Sequence, residues 1–198
     1  DTLSAGPELA LIVEKLEEDI SNVRCFGDSK LLAWDWNAYY ILDRDGVILD
    51  SFTKNQLKEL FVTEENDMFY ADQVVMTDSE KYILFFDTEE GDVYAFNRET
   101  QQPVAISEDV KDLLMADRNQ WNGFAKGFDR KCIRGDEMIF YGKDKTIRIY
   151  DFAQGKVTFE LETDGVGDQQ VVFTPDGEYL LFINRVNQLR VVSRKDGE

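Results

Sequence analysis

The feature that most constrains this chain is a recurring strand ending. Four times an alternating segment closes on an apolar residue followed by a small polar one: Leu42-Asp43, Phe96-Asn97, Tyr150-Asp151 and Val192-Ser193. The polar members, at 43, 97, 151 and 193, are separated by 54, 54 and 42 residues. The shortest interval matches the length of one four-stranded repeat unit, about 40–45 residues. The two longer intervals exceed it by 12 residues, roughly three helical turns. Each of them contains a helix signal, so the excess reads as a helix inserted between one unit and the next.

The clearest unit is Glu137–Glu162. It reads as a strand, a tight turn at Lys143-Asp144-Lys145, an alternating strand (Ile147 and Ile149 against Arg148 and Tyr150), a turn at Ala153-Gln154-Gly155 and a third strand. Short strands joined by polar turns make an antiparallel meander. The other units repeat the pattern: Lys30–Trp36, Ala38–Leu42 and Val47–Phe52; Gln73–Thr77, Tyr82–Asp87, Asp92–Asn97 and Pro103–Ile106; Gln170–Thr174, Tyr179–Asn184 and Gln188–Ser193. The inserted helices begin at Thr53, with Gln56 completing a capping box ahead of Leu57, Leu60 and Phe61, and at Ser107, ahead of Val110, Leu113 and Leu114. A further amphipathic helix is expected over residues 7–20, within an N-terminal segment 1–22.

A single four-stranded sheet cannot bury both of its faces, so repeated sheets stack, and radial stacking gives a propeller. The expected fold is therefore mainly β: a β-propeller-like array of about four blades with short inserted helices. The units run approximately over 23–70, 71–126, 127–166 and 167–198. The fourth lacks an outermost strand before Glu198, which fits a segment of a larger propeller; a ring completed by a second chain, or by a strand in Asp1–Gly6, are the alternatives.

Phe173–Phe182 (FTPDGEYLLF) resembles the inner-strand turn of the WD-repeat family. Lys145–Asp151 (KTIRIYD) resembles the segment that ends in the family's Trp-Asp, with Tyr150 in the Trp place, and Gly155-Lys156 matches the turn after it. The third and fourth units carry the resemblance in residues, the first two in pattern and spacing. It implies a divergent propeller serving as a protein-binding scaffold. The family's Gly-His pair is absent, because the chain has no histidine, so its buried hydrogen-bonded tetrad cannot form.

Composition narrows the function. Forty Asp and Glu against 22 Lys and Arg give a net charge of −18, a field that repels phosphate backbones and suits basic partners. The absence of histidine removes the commonest general base and metal ligand together. No phosphate loop, nucleophile elbow or Cys/His pairing is present, so neither an enzyme activity nor a cofactor is expected. Cys25 and Cys132 read as free buried thiols, and with no apolar run of membrane-spanning length the chain reads as cytoplasmic. The acidic turns 43–46 and 87–92 lack the full alternating ligand set of a calcium loop.

Five residues are candidates for partner binding. Trp34 and Trp36, two apart on an aromatic hairpin, would share one side of a strand, where core packing between blades competes with a binding role. Trp121 stands in the polar run Asn119–Gly123. Arg185 and Arg190, with Arg194 and Lys195, reverse the local charge in the last unit. These readings lead to a non-enzymatic protein–protein interaction scaffold, whose partner is a basic protein or further blades of the same propeller. The alternative is a small acidic inhibitor, such as an immunity protein or a nucleic-acid mimic, that blocks a basic partner site. Direct nucleic-acid or membrane binding is not expected.

Overall fold

Strand after strand in this chain alternates apolar and polar residues, and the chain forms the corresponding antiparallel meanders. A computed structural model describes residues 20, 22–26, 30–61, 69–87, 92–107, 110–111, 132–141, 144–166 and 171–197. They belong to two compact units, 1–69 and 70–198.

The first unit holds one four-stranded sheet in the order of the sequence: β1 (Asn22–Phe26), β2 (Lys30–Trp34), β3 (Ala38–Asp43) and β4 (Ile48–Thr53). Leu31 lies opposite Leu42, and Trp34 opposite Tyr39. Leu31, Ala33 and Leu42 form a buried cluster with Val23, Tyr40 and Ile20 against it. Leu32, Trp34 and Ile41, on the opposite side of the pleat, are buried as well. β4 runs directly into helix α1 (Lys54–Phe61) through the capping box expected from the sequence. The Thr53 N–H donates to Gln56 Oε1 at 2.8 Å, and the Gln56 N–H donates to Thr53 Oγ1 at 3.2 Å. Leu57 is fully buried and Phe61 stacks on Phe69 with ring centroids 5.6 Å apart, whereas Leu60 is exposed.

The second unit holds three sheets. One comprises β5 (Gln73–Met76), β6 (Tyr82–Asp87), β7 (Asp92–Asn97) and β8 (Gln102–Val104), again in sequence order. Pro103 sits in β8, an edge strand, where a missing N–H is tolerated. The next sheet comprises β9 (Ile133–Arg134), β10 (Glu137–Tyr141), β11 (Thr146–Asp151) and β12 (Lys156–Glu162). The last has three strands, β13 (Val172–Phe173), β14 (Tyr179–Ile183) and β15 (Leu189–Ser193).

These three sheets pack face on face. Leu84, Phe86 and Val93 of the β5–β8 sheet share a core with Met138, Phe140 and Tyr150 of the β9–β12 sheet. From the other face of that sheet, Ile139, Ile147 and Ile149 share a second core with Phe173, Leu180, Phe182 and Val192. Both faces of β10 and β11 therefore carry buried apolar residues, as a middle layer requires, while β12 at the edge alternates half-buried and exposed residues. Polar clamps join the layers at the strand ends. Ser79 Oγ and Thr77 Oγ1 donate to Asp136, Cys132 Sγ donates to the Val171 carbonyl at 3.3 Å, and Arg194 pairs with Glu137 at 2.6 Å.

The repeat phase has a physical cause. In each sheet the polar residue that closes the third strand turns its side-chain oxygen onto the backbone that follows. Asp43 accepts from the N–H groups of Asp45 and Val47, Asn97 from Glu99 and Thr100, Asp151 from Ala153 and Gln154, and Ser193 from Lys195. Four residues after the cap, Gln101, Gly155 and Gly197 all take a positive φ, 56°, 65° and 73°. These three hairpin loops end on a left-handed residue that sends the chain back; in the first sheet the loop is one residue shorter, a type I turn whose left-handed residue is Gly46, at φ 82°.

Each of the four sheets is open, and a closed ring is not part of what these residues define. The helix expected over 7–20 lies outside the described residues. Of the helix expected after Ser107, Val110 and Lys111 are described. They are helical, with both N–H groups donating to the Ser107 carbonyl at 3.0 and 2.9 Å.

Candidate interaction surfaces

The aromatic hairpin does not place its two tryptophans together. Trp34 ends β2 with 4% of its surface exposed, whereas Trp36 is 72% exposed. The strand stops because Asp35 captures the next backbone groups. Its carboxylate accepts the N–H of Asn37 at 2.5 Å and of Ala38 at 2.7 Å, closing a tight turn. Trp36 occupies that turn and projects from the sheet, so strand alternation does not extend to it.

The turn is also held from α1. The Lys54 N–H donates to the Asn37 carbonyl at 2.8 Å, and the Lys54 ammonium lies 5.7 Å from the Trp36 ring and 5.9 Å from that of Tyr39. Burial holds the Lys54 pKa below its ordinary value, against the upward pull of Asp35. The result is a large exposed indole on a mount of few degrees of freedom, the arrangement in which an aromatic anchor loses little entropy on binding. The same unit exposes Val47, Ile48 and Leu49 where β4 begins.

The last sheet provides a second surface. Leu180, Phe182 and Val192 point into the core shared with β9–β12. The opposite pleat carries Leu181 and Ile183, both half-buried, with Leu189 and Val191 paired to them and exposed by 66% and 53%. Arg190, opposite Phe182 on the edge strand, is exposed. Arg185 is exposed too, and its side chain lies across Gly165; a Cβ at Gly165 would fall 2.5 Å from Arg185 Nε. Neither arginine forms an ion pair with a described residue.

Arg194 differs from its neighbours. Besides Glu137 it holds the Gly177 carbonyl at 3.0 Å and lies 5.3 Å from the centre of the Phe173 ring. This cation clamps two sheets, and the local charge reversal is smaller than the sequence implies. A signal for that role existed. Arg98 follows the cap of the second unit as Arg194 follows the cap of the fourth, and it likewise donates to a carbonyl of its own sheet's first hairpin, Glu80, at 2.9 Å.

Trp121 lies outside the described residues. Among the described residues no group of three or more Cys, Asp or Glu is placed to hold a metal ion, and no helix is long and apolar enough to cross a membrane. Cys132 is buried, and its thiol is in no disulfide. The described residues define a mainly β protein, with four antiparallel meander sheets and the helix α1 among them. No protein-family model matches the sequence, and no curated protein matches it.

Proposed function

We propose that the chain is a non-enzymatic protein–protein interaction scaffold, a divergent propeller or an arc of one, that engages its partner through Trp36. The observation that carries this reading is the exposed indole on a turn fixed by Asp35 and Lys54. Stacked meander sheets support it, since a rigid array that presents turns at its strand ends is how repeat proteins build binding surfaces. So does the acidic charge, which steers basic proteins and repels nucleic acid.

The test is the affinity of a partner recovered by cross-linking the intact chain. Trp36→Ala weakens that affinity about tenfold or more, as loss of an aromatic anchor does, with an unchanged circular dichroism spectrum. Unchanged affinity contradicts the reading. Raising salt to about 0.5 M, where exposed charges are largely screened, leaves most of the affinity in place; a collapse would instead support an acidic inhibitor of a basic site.

A further inference from the structure

Two hairpins of the second unit are built alike. Thr77 and Tyr82 frame the turn between β5 and β6, and Thr174 and Tyr179 frame the turn between β13 and β14. In both, the threonine N–H donates to the tyrosine carbonyl at 3.0 Å, and the tyrosine N–H donates to threonine Oγ1, at 3.1 and 3.0 Å. Glu80 and Gly177 both take a positive φ, 64° and 73°, and Arg98 and Arg194 hold their carbonyls at 2.9 and 3.0 Å. Ser79 stands in one turn where Asp176 stands in the other. The Lys81 N–H donates to Ser79 Oγ at 3.2 Å, and the Glu178 N–H donates to Asp176 Oδ1 at 3.0 Å. The turn therefore accepts a negative charge at this position.

The two positions differ in what the neighbouring sheet sets beside them. Beside the Asp176 turn it sets a cation: a Cβ at Gly177 would fall 2.2 Å from the guanidinium carbon of Arg134. Beside Ser79 it sets an anion, Asp136, to which the Ser79 and Thr77 hydroxyls both donate. A proton on Ser79 Oγ is thus what joins the β5–β8 sheet to that carboxylate. Behind this clasp, Tyr82 and Phe152 meet in the shared core with ring centroids 6.0 Å apart. Ser79 is exposed, and Asp78 and Glu80 flank it.

We propose that Ser79 is a phosphoacceptor for a Ser/Thr protein kinase that reads acidic sequence, and that its phosphate opens the clasp between the β5–β8 and β9–β12 sheets. Ser79 Oγ bonds to the γ-phosphorus of ATP as the bond to the β-phosphate oxygen breaks. ADP leaves, and the hydroxyl proton passes to the kinase's base. The ester oxygen has no proton to give Asp136, and a charge of about −1.5 to −2 then stands against that carboxylate. The basic side chains of this turn are already engaged, Lys81 with Glu99 at 3.1 Å and Arg98 with the Glu80 carbonyl. The site lies in the second unit and is independent of Trp36.

The full chain is treated with ATP and an acid-directed Ser/Thr kinase. The modified residue is located by peptide mass mapping, and amide hydrogen exchange is followed at Tyr82 and Phe152. Phosphate on Ser79 is expected, with both amides exchanging about tenfold faster or more, the scale of losing a hydrogen bond to a charged group. Ser79→Asp, a residue the Asp176 turn already carries, speeds the same amides without the kinase. In the Asp136→Asn chain the side-chain amide can donate to the phosphate, and phosphorylation leaves both rates unchanged. Absence of phosphate on Ser79 overturns the proposal. So does phosphate on Ser79 that leaves Tyr82 and Phe152 unchanged, or that speeds them equally in the Asp136→Asn chain.

Discussion

Asp144 shows how one exposed side chain sets a turn. The Arg148 guanidinium reaches both of its carboxylate oxygens, at 3.1 and 2.5 Å, while the Thr146 N–H donates to Oδ1 at 3.1 Å. The hydrogen bonds from Arg148, above all, bring the Asp144 pKa down from its ordinary 3.8 to about 2. A depressed carboxylate stabilises the fold above its unfolded pKa, and that contribution is lost as pH falls through the folded one. Asp144 is 48% exposed, so solvent screening holds the pair to under about 1 kcal/mol. Asp144→Asn is therefore expected to lower the urea midpoint slightly at pH 7. The gap from the unmodified chain should close between about pH 4 and pH 2. A gap that persists unchanged at pH 2 would show that Asp144 acts through packing instead.

Elements in this chain end where a side chain takes over the backbone, and that decides what could be read in advance. The four strand-closing caps were legible because a tight hairpin loop favours a small polar residue that can accept the N–H groups following it, and Asp43, Asn97, Asp151 and Ser193 all stand there. The capping box of α1 was legible for the same local reason. Trp36 was misplaced because alternation was carried through Asp35. The run Asp35-Trp36-Asn37 is itself a turn signal, and the carboxylate of Asp35 ends β2 at Trp34. The charge of Arg194 was legible as one that could meet an acidic surface on a neighbouring sheet, and Glu137 is that partner; its grip on the Gly177 carbonyl was legible only by comparison with Arg98, which holds the same place after its cap. Its guanidinium spans the Gly177 carbonyl and Glu137 together, and both partners of the ion pair are only 20% exposed. Arg194→Ala is expected to cost about 1–3 kcal/mol in urea unfolding, the range for hydrogen bonds to a charged group. Arg194→Lys should recover only part of this, since an ammonium cannot fork to both acceptors. Full recovery by lysine would mean that charge alone is required.

At the scale of the molecule, the sheets of the second unit are held by the two apolar cores they share. The β9–β12 sheet is the decisive layer. Met138 faces one neighbour and Ile149 the other, and both are completely buried. Sheets packed this way lie about 10 Å apart, which brings methyl groups of adjacent sheets into contact and keeps those of alternate sheets apart. The most direct test is a methyl NOE spectrum of the intact chain. Ile139, Ile147 and Ile149 should show cross-peaks to Leu180 and Val192, Met138 should show them to Leu84 and Val93, and Leu84 should show none to Leu180. Cross-peaks from only one face of β10 and β11, or backbone pairing between β12 and β13 in one continuous sheet, would contradict the stack.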